Sequence, residues 1–273
     1  METHKEKLVA MFKWFHELCE TENITYYAIC GTALGAIRHN GFIPWDDDID
    51  VGIPRPDYER LLTLTHQING KSKYYIEKPL ENKDYIYPFT KIYDTSTTLI
   101  EKTRNDLKRG IYIDVFPLDG IGNSVEEGIK NYKTIKKLRY LHGIAYCCKF
   151  PKTKNIKILI QKYLGFIIRV FAKESWFINQ MQTRLININY NQNKYIINAF
   201  GGWHEKEISK REWLGTPKLQ KFEGLDICCP EDCHSYLTGI YGDYMQLPPE
   251  EERVTHHNFI YMNLHESYLE GKG

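Results

Sequence analysis

Disulfide and signal-peptide patterns are missing from this sequence. Its seven cysteines are an odd number and include no C-x-x-C pair. The charged start, Met1 to Lys7, lacks the pattern of a secretory signal peptide. These absences argue against a disulfide framework, so we expect free thiols and a cytoplasmic protein. Cys228, Cys229, Cys233 and His234 offer zinc ligands, but their spacing lacks the two well-separated ligand pairs of common structural zinc sites, which favours free thiols here too.

Net charge is almost absent, and we find no internal repeat and no low-complexity tract. The formal charge of +1 says little about binding partners. A hydrophobic content of 42% and an aromatic content of 14% indicate a folded protein with a core and exclude a disordered tail. A length of 273 residues suits one large domain, or a domain with a substantial insertion.

Acidic residues are absent from one long segment, residues 128–173, which contains twelve Lys or Arg. The remainder of the chain carries the other 24 basic residues and all 35 acidic ones, a net charge of −11. The segment reads as largely helical, with a break at Phe150-Pro151. From 156 to 171 it is apolar over much of its circumference, but three cations interrupt it, and a bilayer span needs about 20 apolar residues. Two interpretations stay open: ordinary packing with a solvated basic face, or contact with an anionic membrane surface.

Hydrophobic periodicity predicts a mixture of helices and strands. Helical spacing covers residues 5–22, 31–39 and 57–66. Runs rich in β-formers cover residues 24–30, 48–53, 87–94 and 110–116. This order favours an α/β (α+β) fold with a small mixed β-sheet flanked by helices. We expect a catalytic core at 1–125, a mainly helical basic insertion at 126–190, and a C-terminal part at 191–273 that packs back on the core.

An acidic cluster at residues 46–50 is the strongest chemical signal. Asp46, Asp48 and Asp50 alternate along an extended segment, so their carboxylates can face one side and repel one another unless cations neutralise them. Such oxygen ligands favour Mg²⁺ or Mn²⁺ over zinc. Asp114, on a later strand, completes the site if the two strands are neighbours. Two cations about 4 Å apart would then clamp the oxygens of an in-line phosphoryl displacement.

Two other interpretations of the acidic cluster are weaker. Asp-x-Asp-x-Asp also begins a calcium-binding EF-hand loop, whose sixth residue is Gly and whose twelfth is normally Glu. Here those positions hold Val51 and Asp57, and Pro54 and Pro56 interrupt the loop. A solvated acidic turn has no need of the interleaved aliphatic residues.

Gly31-Thr32 lies upstream of the cluster, at the start of a predicted helix, where backbone N–H groups and a hydroxyl can meet a phosphate. Alone, this pair is a common helix cap. Followed by a strand with alternating acids, and by a third acid on a later strand, it resembles the signature of the nucleotidyltransferase superfamily.

The likeness is closer to one family, LicD, which contains bacterial phosphocholine transferases and is related to animal fukutin-related ribitol-phosphate transferases. The segments that resemble it are Tyr27 to Asp50, Arg55 to Tyr58, Lys91 to Asp94, Gly110 to Pro117, and Tyr241 to Pro249 with Arg253 and His256. The resemblance covers most of residues 5–260. It is specific around 27–58 and weaker in the basic middle.

The resemblance implies a catalytic, metal-ligating role for Asp48, Asp50 and Asp114, with Asp114 alternatively the base for the acceptor hydroxyl. A second set is expected to bind donor or substrate: Gly31, Thr32, Arg38, Trp45, Asp46, Lys91 and His256. Within this set, Arg38 and Lys91 are expected at the donor pyrophosphate. Trp45 is the first candidate for a quaternary ammonium, because it adjoins the acids. A surface role for Lys91 or His256 is about as well supported.

The implied activity is attack of a sugar hydroxyl on the β-phosphate of a CDP-linked alcohol, with release of CMP. Choline is the expected alcohol, with ribitol or glycerol behind it. The acceptor would be a lipid-linked teichoic acid, capsule or lipopolysaccharide precursor at the inner face of the cell membrane, contacted through residues 128–173. No nucleic acid partner is expected. The alternatives are an NTP-using nucleotidyltransferase and a metal-dependent glycan-binding module without turnover.

Overall fold

The computed structural model describes residues 2–255 and 259–270. The α-helices in this part of the chain are α1 (His4–Thr21), α2 (Cys30–His39), α3 (Arg55–Ile68), α4 (Val125–His142), α5 (Ile156–Phe171), α6 (Glu174–Ile186), α7 (Arg211–Leu214) and α8 (Cys233–Tyr241). The strands are β1 (Tyr27–Ala28), β2 (Asp50–Pro54), β3 (Tyr74–Glu77), β4 (Thr90–Asp94), β5 (Thr98–Glu101), β6 (Leu107–Arg109), β7 (Tyr112–Gly122), β8 (Tyr195–Asn198), β9 (Ile208–Lys210), β10 (Lys218–Phe222), β11 (Leu225–Cys229) and β12 (Phe259–Asn263). A π-helical turn, Gly143–Cys147, follows α4.

Strand β7 is the centre of a seven-stranded mixed sheet. It pairs in parallel with β2 on one side. It pairs antiparallel with β4 along its first half and with β8 along its second half. Strands β1, β3 and β9 extend the sheet beyond β2, β4 and β8. The expected α/β (α+β) class, a mixed sheet flanked by helices, is confirmed.

Two hydrophobic cores flank this sheet. Val115 of β7 belongs to the core that α1 fills with Phe12 and Phe15. The next residue, Phe116, belongs to the other core, to which α4 and α6 contribute from the predicted insertion at 126–190. This alternation is what a strand with two buried faces requires. Helices α4 and α6 therefore pack with the sheet, and the boundaries proposed at 126 and 190 stay a prediction.

Local structure differs from expectation around the acidic cluster. Strand β2 begins only at Asp50, because residues 44–45 form a turn in which the Asp46 N–H donates to the Ile43 carbonyl. Residues 46–49 lie outside any strand, so the strand predicted at 48–53 begins two residues later than expected. Only Asp50 is placed by strand geometry, and Asp46 and Asp48 lie on the loop before it.

Two small sheets were not predicted. Strands β12, β5 and β6 form one of them, and the β10–β11 hairpin forms the other. Glu223 and Gly224 close the hairpin with positive φ values of 48° and 82°, which is the backbone that a tight two-residue hairpin turn requires. No helix in residues 2–255 and 259–270 is long and apolar enough to cross a bilayer.

Candidate active site

The candidate active site is built around two carboxylates on neighbouring strands. Asp50 opens β2 and lies directly beside Asp114 of β7 in the parallel register. The hydroxyl oxygen of Thr32 accepts a hydrogen bond from the Asp50 N–H at 2.8 Å. The Ile49 carbonyl accepts one from the Asp114 N–H at 2.9 Å. The backbones of both acids are therefore fixed by the fold. Their strands are neighbours, which was the condition for Asp114 to complete the site.

Negative charge accumulates around Asp50. Burial raises its pKa well above the usual range, and the carboxylates of Asp48, Asp114 and Asp46 raise it further. This repulsion, together with the purely oxygen donor set, fits a hard divalent cation such as Mg²⁺ or Mn²⁺. A cation bound between Asp50 and Asp114 would lower the electrostatic cost of keeping both ionised.

The described part of the chain contains no group of three or more His, Cys, Asp or Glu side chains that already forms a metal site. A cation at Asp50 and Asp114 would therefore take a third ligand by rotation of Asp48 or Asp46, or from a substrate phosphate. The Cys228–His234 group, considered for zinc, is likewise no metal cluster in this structure. There, the Cys233 thiol donates to the Pro230 carbonyl at 3.1 Å.

Lys91 lies opposite Asp114 on the other side of β7. Its ammonium is 2% exposed and lies 3.0 Å from Asp114 Oδ1 and 3.3 Å from Glu101 Oε1. The Tyr112 and Tyr87 ring centroids are 3.2 and 4.3 Å away. Lys91 is thus a buried counterion that orients Asp114 in this structure. Its contact with a donor pyrophosphate stays a prediction.

The start of α2 brings Gly31 and Thr32 to the acids. A Cβ on Gly31 would lie 2.7 Å from Asp46 Oδ2, so a larger residue here would displace that carboxylate. The residue before it, Cys30, holds a left-handed φ of 48°. A non-glycine residue in that region costs about 1–3 kcal/mol and is often found at functional sites. Phosphate binding by Gly31 and Thr32 stays a prediction, although both residues lie at the start of α2 beside the acids, as that role requires.

Glu207 is a member of this cluster that the sequence did not reveal. It is buried, accepts a hydrogen bond from the Trp203 N–H at 2.8 Å, and lies 3.7 Å from the Cys30 thiol. Burial raises its pKa to about 7, and its charge contributes to the raised pKa of Asp50. Glu207 is far from residues 46–50 in the chain, and its sequence neighbours form no acidic pattern.

Two aromatic rings meet beside the same carboxylates. The centroids of Trp203 and Tyr241 are 5.0 Å apart and their planes are 80° apart. Burial raises the pKa of Tyr241 well above its usual range, and Cys30, Asp50 and Glu207 raise it further. The Trp203 backbone N–H donates to Glu207, so the pair lies beside that member of the cluster, and Trp203 is 44% exposed. We call this pair the aromatic corner.

The remaining predicted residues lie at the rim or outside the described residues. Trp45 is half-buried, and the Arg253 guanidinium lies 5.7 Å from its ring. Arg38 donates to the Tyr244 carbonyl at 2.6 Å, which joins α2 to the segment after α8. Burial lowers the pKa of Arg38. His256 lies outside the described residues.

A known protein resembles this chain over most of its length. Residues 23–142 match the family described as LicD/FKTN/FKRP, nucleotidyltransferase domain. The chain is 31% identical over 249 residues to the lipopolysaccharide cholinephosphotransferase LicD of Haemophilus influenzae, which covers 89% of this chain and 91% of that protein. Uncharacterized proteins of Rickettsia typhi and Rickettsia prowazekii match shorter stretches, at 31% identity over 129 residues (46% of this chain, 38% of that protein) and 50% over 60 residues (22% and 23%). Since the Haemophilus protein is matched along nearly its whole length, the chain belongs to the LicD family of phosphotransferases.

Proposed function

We propose that this protein transfers phosphocholine from CDP-choline to a sugar hydroxyl of a lipid-linked cell-surface glycan precursor and releases CMP. The observation that carries the proposal is the placement of Asp50 beside Asp114 on adjacent parallel strands, next to the start of α2. The Haemophilus relative is a lipopolysaccharide cholinephosphotransferase, which supports phosphocholine as the transferred group. We further propose that the reaction takes place at the inner face of the cell membrane.

In the proposed reaction the acceptor oxygen bonds to the β-phosphorus, and the bond from that phosphorus to the oxygen of CMP breaks. The hydroxyl proton passes to a carboxylate of the cluster, and Asp114 takes this role in the alternative in which Asp48 and Asp50 alone hold the metal. Asp48, Asp50 and Asp114 would hold Mg²⁺ or Mn²⁺, which when bound would neutralise phosphate charge. Lys91 keeps the Asp114 carboxylate in place. The Gly31 N–H at the start of α2 and the Thr32 hydroxyl would face the donor phosphate, since the Thr32 N–H already donates to the Ile29 carbonyl.

The test is a screen of the purified protein with Mg²⁺ and lipopolysaccharide against CDP-choline, CDP-ribitol, CDP-glycerol and CTP. We expect CMP release from CDP-choline and its loss with EDTA. Asp48→Ala should also abolish it, because that variant removes a proposed ligand. Pyrophosphate release from CTP would instead identify a nucleotidyltransferase. Glycan binding by wild type and Asp48→Ala alike, without turnover by either, would identify a binding module.

The aromatic corner favours choline over a neutral polyol. A quaternary ammonium is attracted to aromatic ring faces, and nearby carboxylates add to that attraction. The Lys206 ammonium lies 5.6 Å from the Trp203 ring centroid and the Arg253 guanidinium lies 5.7 Å from the Trp45 ring centroid, so a neighbouring cation does not separate the two tryptophans. Trp203 is favoured because its ring meets that of Tyr241 and its backbone N–H donates to the buried Glu207. We therefore propose that choline binds at Trp203 and Tyr241.

Trp203→Leu is expected to raise KM for CDP-choline about tenfold, because the lost cation–π contact is worth about 1–2 kcal/mol. KM for the neutral isostere CDP-3,3-dimethylbutanol should change much less, since that ligand has no charge. Trp176 of α6 is 48% exposed, similar to Trp203, and Trp176→Leu is the matched control. Steady-state assays of CMP release give KM for wild type, Trp203→Leu and Trp176→Leu with both donors. An effect of Trp45→Leu but not of Trp203→Leu on choline selectivity would place the ammonium at Trp45 instead.

A further inference from the structure

Helix α5 exposes an unusual amount of apolar surface. Six of its large side chains are each more than half exposed: Ile156, Ile160, Tyr163, Phe166, Val170 and Phe171. Gly165 is its one residue that is fully buried. An exposed apolar patch made of so many large side chains usually marks an interaction site.

The helix is nevertheless firmly seated along one narrow side. A Cβ on Gly165 would lie 2.4 Å from the Ile144 carbonyl oxygen, so the helix backbone rests directly on the π-helical turn. Arg169 donates to the Ala145 carbonyl at 2.7 Å, and Gln161 donates to the Tyr140 hydroxyl at 3.1 Å. These contacts fix which face of α5 points away from the protein.

The charge around this face identifies its partner. Residues 128–173 contain twelve basic side chains and no acidic one, and Lys157 and Lys162 of α5 are exposed beside the apolar side chains. Exposed apolar and cationic side chains on one helix match the acyl and phosphate layers of an anionic membrane surface. Two copies of α5 packed together would bring like charges face to face, which opposes self-association. Sixteen residues span about 24 Å, which is too short to cross the hydrocarbon layer.

We propose that α5 lies in the plane of an anionic lipid membrane, with its apolar face among the acyl chains and its lysines at the phosphates. The protein would then bind the membrane from one side through α5, while Gly165 and Arg169 join that helix to the body of the protein. This inference goes beyond the proposed reaction and does not depend on it.

Vesicle flotation of the full chain, without any substrate, tests the inference. We expect binding to phosphatidylcholine vesicles that contain 30% phosphatidylglycerol, and at least tenfold weaker binding to pure phosphatidylcholine. Phe166→Gln/Val170→Gln should reduce binding to the anionic vesicles at least tenfold, because it removes the apolar contact. Lys157→Gln/Lys162→Gln should weaken it about thirtyfold, roughly fivefold for each cation.

The matched control is Leu219→Gln/Ile260→Gln, which changes two similarly exposed apolar residues on β10 and β12 and should bind as wild type does. Failure of wild type to float with anionic vesicles would overturn the inference. So would a dimer in light scattering that Phe166→Gln/Val170→Gln converts to monomer without any vesicle binding, since α5 would then be a self-association face. CMP release is assayed separately, so the two proposals fail independently.

Discussion

Asp50→Asn is expected to lower kcat/KM for CMP release from CDP-choline about a thousandfold or more, and to stabilise the metal-free protein at the same time. The activity falls because one of the two carboxylates that adjoin across β2 and β7 is lost. The stability rises because the variant removes a negative charge that burial and four neighbouring carboxylates disfavour. The hydrogen bond from the Asp50 N–H to Thr32 belongs to the backbone and is kept.

CMP assays with saturating Mg²⁺, and thermal unfolding with Mg²⁺ or EDTA, measure both effects. Mg²⁺ should raise the unfolding temperature of wild type more than that of Asp50→Asn, because the variant binds the cation weakly. Asp226→Asn removes an exposed acid of β11 that pairs with Lys221 and should change neither quantity. Wild-type turnover by Asp50→Asn would show that the chemistry lies elsewhere.

Lowering the pH should stabilise the metal-free protein, as the Asp50→Asn substitution does. Glu207 has a pKa raised from 4.5 to about 7, and the pKa of Asp50 is also raised. The folded state therefore holds these protons more tightly than the unfolded state does. The stability this provides is present below about pH 4.5 and is lost as pH rises toward 7, by about 3 kcal/mol for Glu207. In EDTA the unfolding temperature should fall between pH 5 and pH 8, and Glu207→Gln should flatten that fall.

Lys91→Met is expected to lower the free energy of unfolding by about 3–5 kcal/mol and to reduce turnover strongly. The substitution leaves Asp114 and Glu101 without the buried ammonium that lies within 3.3 Å of both. Breaking a buried ion pair by removing one partner leaves an uncompensated charge in a poorly solvated site. The Asp114 carboxylate also loses the contact that orients it.

Urea denaturation with CMP assays distinguishes these two effects. Lys91→Met/Glu101→Gln should regain part of the lost stability, because only the Asp114 carboxylate is then left without the Lys91 ammonium. It should not regain turnover. Lys221→Met breaks an exposed pair with Asp226 and should cost less than about 1 kcal/mol. Wild-type stability of Lys91→Met would mean that the three charges are not coupled as the geometry indicates.

Local periodicity was sufficient to predict several of the elements that bear on the site. The helices expected at 5–22 and 57–66 match α1 and α3 to within about two residues, because each has an apolar face at helical spacing. The strand expected at 110–116 matches the start of β7. We predicted that Asp114 completes the site if its strand lies beside the strand of Asp50. The parallel pairing of β2 and β7 meets that condition.

The rest of the site depends on contacts that local patterns do not encode. Glu207 and Trp203 join the acids only because β8 and β9 extend the sheet from β7. The sequence around Lys91 does not reveal its burial, because the partner that neutralises it is Asp114, set opposite by the register of β4 and β7. The roles of the individual site residues stay predictions, since position alone does not show which group meets the metal, the donor or the acceptor.

Strand β7, buried at all eleven positions, also bears on how the active site forms during folding. Its partners in β2 lie 64 residues earlier in the chain, and its partners in β8 lie 73 to 80 residues later. Pairings of that range close large loops and tend to form late, after local helices. A partly folded chain with its helices in place therefore still lacks the acid pair, and catalytic competence is a property of the finished sheet.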